Sequence, residues 1–246
     1  MTMAGKVVLV TGGSRGLGRA MVEGFAKEGA DLVIASRKRD SCAELADEVH
    51  GRHGVRALPV GCNVGDWAQC DALVDAAYAE FGRVDVLVNN AGMSPLYPSL
   101  DQVSEALYDK VLGVNLKGPF RLSTLIGTRM VAAGGGSIIN IGSIETLRPD
   151  PDALPYGLAK GGLQVLTEGL ARAFAPTVRV NTIQCGPFRT DIARDWTAEF
   201  VEAVTAGTLL GRCGEPDEMV GAALFLATDA SSYCTGTALR LDGGLR

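Results

Sequence analysis

The sequence lacks the features that mark metal-bound, disulfide-linked and membrane-spanning proteins. Its two histidines, His50 and His53, stand at helical spacing but near no cysteine, and we interpret them as a solvated helix end rather than a zinc pair. None of the six cysteines forms a C-x-x-C pair, which is typical of reduced thiols. No apolar run approaches the roughly 18–20 residues that span a bilayer. We therefore expect no metal and no membrane partner.

Charge and organisation exclude further classes of protein. The net charge is -5 and the basic residues are scattered, which argues against a nucleic-acid partner, because such a partner needs a concentrated basic face. The first apolar run, Val7–Val10, is too short for a signal peptide, and we expect a cytoplasmic protein. No linker or repeat divides the 246 residues, and we expect one α/β domain over 1–246.

Short apolar runs alternate with longer amphipathic stretches. The runs predict seven strands: Lys6–Val10, Leu32–Ser36, Val55–Val60, Val84–Asn89, Ser137–Ile141, Val178–Ile183 and Ala238–Leu241. Apolar residues at i+3 and i+4 spacing predict helices that end at Gly82 and that cover Gln102–Ala133 and Leu158–Phe174. This alternation indicates a Rossmann-type doubly wound parallel sheet of about seven strands with helices on both faces. The stretch 188–210 fits no strand, and we interpret it as a substrate lid.

A glycine-rich turn follows the first strand and leads into a helix. It reads Thr11-Gly12-Gly13-Ser14-Arg15-Gly16-Leu17-Gly18. Such a turn lets backbone N–H groups approach a pyrophosphate, and the helix N-terminus adds a favourable dipole. An ordinary strand-to-helix turn would also explain the glycines, but the position after the first strand of a βαβ unit favours a dinucleotide site.

The end of the second strand bears on the choice of dinucleotide. An acidic residue there would bind the adenosine ribose hydroxyls of NAD, whereas this chain has Ser36 followed by Arg37. Together with Arg15 in the glycine-rich turn, these residues offer two guanidiniums and a hydroxyl to a 2′-phosphate. We therefore predict NADP(H), with NAD(H) and merely solvated arginines as the alternatives.

Tyr156 and Lys160 stand one helical turn apart, after Pro155, a typical helix start. The unperturbed pKa of a tyrosine is near ~10, and a neighbouring ammonium favours the phenolate and lowers that pKa. Ser143 follows the fifth predicted strand, where its hydroxyl can donate to a substrate oxygen. The three side chains together predict proton exchange with an alcohol or carbonyl substrate.

Taken in order, these motifs resemble those of the short-chain dehydrogenase/reductase family over nearly the whole chain. The matching residues are Thr11–Gly18, Asn89-Asn90-Ala91-Gly92, Asn115, Ser143, Tyr156 with Lys160, and Cys185-Gly186-Pro187 with Thr190. The resemblance implies hydride transfer between a nicotinamide and an alcohol or carbonyl. The direction is open, and the predicted preference for NADP favours ketone reduction. The resemblance implies that Tyr156 is the general acid/base and that Ser143 orients the substrate oxygen. It also implies that Lys160 lowers the tyrosine pKa and holds the nicotinamide ribose, while Asn115 binds a water of a proton relay.

The same resemblance implies a set of residues that bind the dinucleotide. They are Gly12, Ser14, Arg15, Gly16, Leu17, Gly18, Ser36, Arg37, Asn63, Val64, Asn89, Ala91, Gly92, Tyr156, Lys160, Gly186, Pro187 and Thr190. The chain departs from the family at one point, since it reads Cys62-Asn63-Val64 where an Asp-Val pair usually contacts the adenine. An asparagine side chain can both donate and accept hydrogen bonds, so Asn63 is still expected to contact the adenine.

The substrate is expected in mostly apolar surroundings. The residues near the motif positions are Met93, Ser94, Glu145, Leu147, Leu154, Phe188 and Trp196. Glu145 could accept a bond from a substrate hydroxyl or cation, or it is a solvated loop acid. A polyol, a sugar acid, a ketoester, a steroid and an acyl-carrier thioester all remain open.

The sequence leaves two alternative functions open. The first alternative is an NAD-dependent alcohol dehydrogenase of the same fold, and the second is a non-catalytic dinucleotide-binding regulator. The set of Ser143, Tyr156, Lys160 and Asn115 argues against the regulator, which needs no proton relay. The family resemblance implies a homotetramer in which the two long predicted helices form one interface. The small or apolar positions expected there are Ala159, Gly161, Gly162 and Leu163.

Overall fold

A computed structural model describes residues 2–190 and 198–245 of the chain. Within these residues, seven parallel strands form one sheet in the order β3-β2-β1-β4-β5-β6-β7. The strands are β1 Val7–Thr11, β2 Asp31–Ser36, β3 Ala57–Gly61, β4 Val86–Asn89, β5 Gly136–Ser143, β6 Val178–Cys185 and β7 Ala238–Leu241. The predicted doubly wound parallel sheet is confirmed.

Helices cover the sheet. The α-helices of the described residues are α1 Gly16–Lys27, α2 Arg39–His53, α3 Trp67–Phe81, α4 Glu105–Leu112, α5 Gly118–Ala132, α6 Leu154–Phe174, α7 Ala198–Ala206 and α8 Glu218–Ala227. Short 3-10 helices occupy Leu100–Gln102, Ile144–Thr146, Pro151–Ala153 and Asp229–Ser231. None of the helices in residues 2–190 and 198–245 has the length and apolar character needed to cross a membrane.

Two hydrophobic cores lie on opposite faces of the sheet, and β1 contributes to both. Val8 and Val10 pack in a core with residues of α1, α2 and α8, whereas Val7 and Leu9 pack in a core with residues of α3, α5 and α6. Successive side chains of a strand point to opposite faces, so a strand that is covered on both sides is apolar at every position. This explains the uninterrupted apolar run that predicts β1.

Local signals in the sequence set both ends of α3. The side chain of Asp66 accepts a hydrogen bond from the backbone N–H of Gln69 at 3.1 Å and so caps the helix start. Gly82 ends the helix in the left-handed conformation at φ 71°, which glycine adopts without steric cost. The predicted helix end at Gly82 is confirmed.

The single helix predicted over Gln102–Ala133 is wrong. The segment comprises α4 and α5, joined by a one-turn π-helix at Gly113–Lys117. Asn115 lies in this turn and donates hydrogen bonds to the backbone oxygens of Val111 at 3.0 Å and Met93 at 2.8 Å. The bond to Met93 connects the turn to the loop after β4. Because this contact is long-range, helical periodicity does not reveal the interruption.

The direction of the sheet changes between β1 and β4. The chain runs outward from β1 through β2 to β3, and then returns to the other side of β1 to form β4 and the later strands. In doubly wound sheets, ligands bind in the crevice at the carboxyl ends of the strands at such a switch point. Thr11 ends β1 and Asn89 ends β4, so the crevice opens between the glycine-rich turn and Asn89–Gly92.

Candidate active site

The glycine-rich turn has a geometry that side chains would prevent. Gly12 and Gly16 adopt positive φ angles of 63° and 52°. A Cβ atom added to Gly18 would lie 2.1 Å from the carbonyl oxygen of Gly12. The turn therefore closes tightly on the first residues of α1 and leaves the backbone open to a ligand, as a pyrophosphate site requires. Glycine-rich turns of this shape fit a dinucleotide.

Asn90 holds the turn against the end of β4. Its amide nitrogen donates to the carbonyl oxygens of Thr11 at 2.9 Å and Gly12 at 3.2 Å. The hydroxyl of Thr11 in turn accepts from the backbone N–H groups of Asn90 at 3.0 Å and Ala91 at 3.1 Å. We named neither side chain as a site residue from sequence. The threonine before the glycines and the asparagine pair after β4 are the only signals that could have revealed this contact.

The residues predicted for the 2′-phosphate lie together. The hydroxyl of Ser14 donates to that of Ser36 at 3.1 Å, and this contact joins the glycine-rich turn to the end of β2. The side chains of Arg15 and Arg37 are exposed. Two hydroxyls in contact and two exposed guanidiniums nearby in sequence are a donor set that suits a phosphate dianion.

The structure also locates Asn63 and Val64. Asn63 is exposed, and its side-chain oxygen accepts from the backbone N–H of Gly65 at 3.2 Å. Val64 is buried, and a Cβ on Gly118 would lie 2.3 Å from its carbonyl oxygen. Asn63 therefore shapes the turn between β3 and α3, and its contact with an adenine stays a prediction.

Asn89 faces the interior. Its amide nitrogen donates to Ser123 at 2.9 Å and to Asn140 at 2.8 Å, while its side-chain oxygen is buried without a partner. Asn140 donates onward to Thr167 at 2.8 Å. These bonds connect β4 and β5 to α5 and α6, so Asn89 stabilises the central strands, and its side chain is turned away from the open crevice.

Ser143, Tyr156 and Lys160 converge at the carboxyl end of β5. Tyr156 lies in the first turn of α6, and its phenol is hydrogen-bonded to Ser143, the last residue of β5. The ammonium of Lys160 lies 5.5 Å from the centroid of the Tyr156 ring and donates to the carbonyl oxygen of Ile141 at 2.6 Å. The predicted helix over Leu158–Phe174 starts earlier, at Leu154, with Pro155 in its first turn.

Burial governs the charges of this cluster. It raises the pKa of the Tyr156 phenol well above its ordinary value, although the bond from Ser143 acts in the opposite direction. This rise is the net effect of all the protein's groups, so the expectation that Lys160 lowers the pKa of Tyr156 stays a prediction. Burial also lowers the pKa of Lys160 to about 8, and the nearby Cys185 thiol opposes that shift. A phenol kept protonated is prepared to donate a proton.

Asn115 joins the cluster through the loop after β4. Besides its own bond to Met93, its side-chain oxygen accepts from the backbone N–H of Met93 at 3.3 Å. A Cβ atom on Gly92 would lie 3.0 Å from the Asn115 oxygen and 3.8 Å from Lys160 Nζ. The residues predicted for the proton relay are thus neighbours, and Gly92 leaves the space between them open.

The motif after β6 lies on the other side of the crevice. A Cβ atom on Gly186 would lie 2.7 Å from Asp242 Cα, and the oxygen of Pro187 accepts from the N–H of Gly214 at 2.9 Å. The side chain of Thr190 lies close to Gly16, 3.4 Å from the place of an added Cβ. Thr190 therefore borders the glycine-rich turn, together with Leu17, a half-buried residue of α1.

The predicted substrate residues do not form one wall. A narrow gap with no room for a water molecule lies beside Tyr156 and is lined by Ser94, Pro95, Tyr97, Leu107, Val111, Ala153 and Pro155. Glu145 is half-buried between Ser143 and Tyr156, its carboxylate accepts from the N–H of Asp150 at 2.8 Å, and burial raises its pKa. Leu147 is exposed, whereas Met93 and Leu154 are half-buried.

Phe188 and Trp196 are the two aromatic residues expected near the substrate. Phe188 is 8% exposed and belongs to the core of α1, α2 and α8, where its ring contacts Gly214. This placement gives it a packing role, so the expectation that it contacts substrate is not supported. Trp196 lies in residues 191–197, the part of the lid predicted at 188–210 that is outside the described residues. The part of that stretch which is described includes α7.

Three further residues near the cluster were not predicted from sequence. Cys185 is the register partner of Ser143 on β6 and acts electrostatically on Tyr156 and Lys160. The amide of Gln184 donates to the hydroxyl of Thr146. The hydroxyl of Tyr97 accepts from the N–H of Leu154 at 2.9 Å and donates to Pro151, which fixes the start of α6. The strand register brings Gln184 and Cys185 to the site, whereas Tyr97 reaches it through the loop after β4.

Known proteins resemble the chain over its whole length. A family model described as enoyl-(acyl carrier protein) reductase matches residues 12–246. The L-rhamnose 1-dehydrogenase (NAD(P)(+)) of Azotobacter vinelandii is 39% identical over 100% of this chain and 98% of its own length. A short-chain type dehydrogenase/reductase from Mycobacterium marinum is 31% identical, with a TM-score of 0.92 over 98% of this chain and 96% of that one. A gluconate 5-dehydrogenase from Burkholderia cenocepacia, solved with NADP and tartrate, is 35% identical, with a TM-score of 0.93 over 99% of this chain and 96% of that one.

The chain therefore belongs to the short-chain dehydrogenase/reductase family. It is an NAD(P)-dependent oxidoreductase that acts on a CH–OH group or on the corresponding carbonyl. Fold, glycine-rich turn and the cluster at the end of β5 all agree with this assignment.

Proposed function

We propose that the chain is an NADP(H)-dependent reductase of carbonyl compounds, with Tyr156 as the proton donor. The observation that carries the proposal is the convergence of Ser143, Tyr156 and Lys160 at the carboxyl end of β5, across the crevice from the glycine-rich turn. A regulator that only bound dinucleotide would not need this cluster.

Each side chain of the cluster has its own role in the proposed reaction. When bound, the dinucleotide supplies or accepts the hydride. The hydroxyl of Ser143 and the phenol of Tyr156 both hydrogen-bond the substrate oxygen, and Tyr156 donates its proton to that oxygen as charge develops. Lys160 provides positive charge beside the phenol that has lost its proton. Asn115, held by Met93, lies where a water could pass a proton from Lys160 to solvent.

The preference for NADP(H) rests on the residues around the end of β2. Ser14 and Ser36 supply paired hydroxyls, and Arg15 and Arg37 supply exposed guanidiniums. The solved gluconate 5-dehydrogenase contains NADP, which is consistent with this choice. The name of the rhamnose dehydrogenase gives NAD(P)+, so NAD(H) with oxidation of an alcohol is the second candidate.

The proposed substrates are polyhydroxylated carbonyl compounds, such as sugars or sugar acids. Glu145 places a carboxylate two residues after Ser143, where it can accept a bond from a substrate hydroxyl, and Gln184 with Thr146 adds polar groups nearby. The named substrates of two relatives, L-rhamnose and gluconate, belong to this class.

A panel of ketoses, keto-acids and simple ketones, assayed by nicotinamide absorbance with NADPH and with NADH, tests the proposal. We expect the highest kcat/KM with NADPH and a polyhydroxylated ketone. A higher kcat/KM with NADH would contradict the cofactor choice, and no oxidation of either nucleotide by any carbonyl would contradict the function.

We further propose a homotetramer that uses α6 at one interface. Leu158 and Val165 are 55% and 72% exposed on one face of α6, and an added Cβ on Gly161 would meet nothing. The other expected positions pack within the chain: Ala159 and Leu163 are buried, and Gly162 contacts Leu116. Light scattering tests the assembly, and a monomeric mass would contradict it.

A further inference from the structure

Two cysteines lie side by side at the junction of β3 and α3. Cys62 directly follows β3 and is 3% exposed, and Cys70 is the fourth residue of α3 and is 0% exposed. Neither belongs to the cluster at the end of β5. The turn between them carries Asn63 and Val64, the residues expected near the adenine.

The two thiols pack in the same hydrophobic core and contact the backbone of the same turn. Cys62 Sγ also lies 3.5 Å from the oxygen of Gln69, and Cys70 Sγ lies 3.3 Å from the oxygen of Val64. Each sulfur therefore reaches the segment that carries the other, which places the pair where a short bond could join the two ends of the turn.

The surroundings favour charge on one thiol only. The interaction between the two thiols lowers the pKa of Cys70 and raises that of Cys62. Arg121 acts in the same direction on Cys70, while burial, Asp71 and Asp66 oppose it. Cys70 also lies in the first turn of α3, where the helix dipole stabilises a thiolate. An attacking thiol beside a protonated one is the usual arrangement of an oxidisable pair.

We propose that Cys62 and Cys70 form an oxidisable dithiol that hydrogen peroxide converts into an intramolecular disulfide. The Cys70 thiolate attacks a peroxide oxygen, the O–O bond breaks, and the leaving hydroxide takes a proton to become water. Cys62 sulfur then attacks the Cys70 sulfenic acid, the S–O bond breaks, and a second water leaves with the Cys62 proton. Two electrons pass from the sulfurs to the peroxide, and an added dithiol reverses the change.

The turn that covers the pair provides access and couples it to the crevice. Asn63, Trp67 and Gln69 are exposed, so opening of this turn brings a small oxidant to the buried sulfurs. The disulfide has no S–H group to donate to the oxygens of Val64 and Gln69. We therefore expect the turn to shift and dinucleotide affinity to fall roughly tenfold. This coupling, unlike the disulfide itself, rests on the proposed function.

Mass spectrometry of the full chain, reduced and then treated with hydrogen peroxide, tests the site. We expect a loss of about 2 Da, a fall from six alkylatable thiols to four, and a peptide in which Cys62 is linked to Cys70. Dithiothreitol should restore six thiols. Six alkylatable thiols in a still folded, peroxide-treated sample, or a bond between other cysteines, would overturn the proposal.

Matched variants separate the pair from the other thiols. Cys62→Ser and Cys70→Ser should each abolish the disulfide, whereas Cys234→Ser, at the partly exposed cysteine, should leave it unchanged. The mapping of the wild-type chain decides the site even where a variant fails to fold. NADPH titration of the oxidised and reduced protein tests the coupling, and equal affinities would overturn it. If the reduced protein bound no NADPH, the proposed function would fail and the mass result would still stand.

Discussion

Gly18→Ala is the substitution for which the structure gives the clearest magnitude. The added methyl would lie 2.1 Å from the Gly12 oxygen and 2.6 Å from Asn90 Nδ2. These two atoms are 3.2 Å apart in a hydrogen bond, so neither can move without opening the turn. Overpacking of this kind costs about 1–3 kcal/mol, and the gain of alanine over glycine in a helix is about 1 kcal/mol. We expect a net loss of about 2 kcal/mol or less in the free energy of unfolding.

The same displacement should widen the glycine-rich turn and weaken NADPH binding at least about tenfold, equivalent to about 1.4 kcal/mol. Urea denaturation and fluorescence titration measure the two effects. Gly221→Ala in α8 is the matched control, because its added Cβ would meet nothing within 4 Å. We expect this control to gain up to about 1 kcal/mol and to bind normally. If Gly18→Ala matched the control in stability and kept wild-type affinity, the close approach described for the turn would be refuted.

Three further predictions concern charge. Between pH 8 and 10 the unfolded state binds more protons at residue 160 than the native state, so wild-type stability should rise relative to Lys160→Met by about 2 kcal/mol. Urea denaturation at several pH values measures this rise, and a flat difference would contradict the lowered pKa. Arg37→Ala should reduce kcat/KM for NADPH at least about tenfold and leave kcat/KM for NADH unchanged, and Arg52→Ala is the control that should change neither value. Equal losses of kcat/KM for both nucleotides would count against a 2′-phosphate contact. Glu145→Gln should raise KM for a ketose several-fold, which corresponds to roughly 1 kcal/mol, and should leave KM for a simple ketone unchanged. An equal rise in KM for both substrates would show that Glu145 does not recognise substrate hydroxyls.

The sheet could be predicted because its signals are local. Strands buried on both faces are apolar at successive positions, as in β1, and Gly82 ends α3 through its own backbone conformation. The glycine-rich turn and the Tyr156–Lys160 pair also depend on short spacings. Such features are readable from neighbouring residues alone.

The remaining differences come from contacts between distant residues. Asn115 interrupts the predicted long helix because it binds Met93, 22 residues earlier. Phe188 enters the core because Gly214 leaves space for its ring. The net rise in the pKa of Tyr156 comes from burial by the whole site. None of these contacts leaves a periodic trace in the sequence.

The central claim concerns the phenol of Tyr156, and Tyr156→Phe tests it most directly. Removal of a general acid costs roughly 100-fold or more in rate, while the ring that remains keeps its packing. We expect kcat for NADPH-dependent carbonyl reduction to fall by at least about that factor, with the Kd for NADPH changed less than about threefold. A variant that bound NADPH normally and kept kcat within about tenfold of wild type would contradict the account.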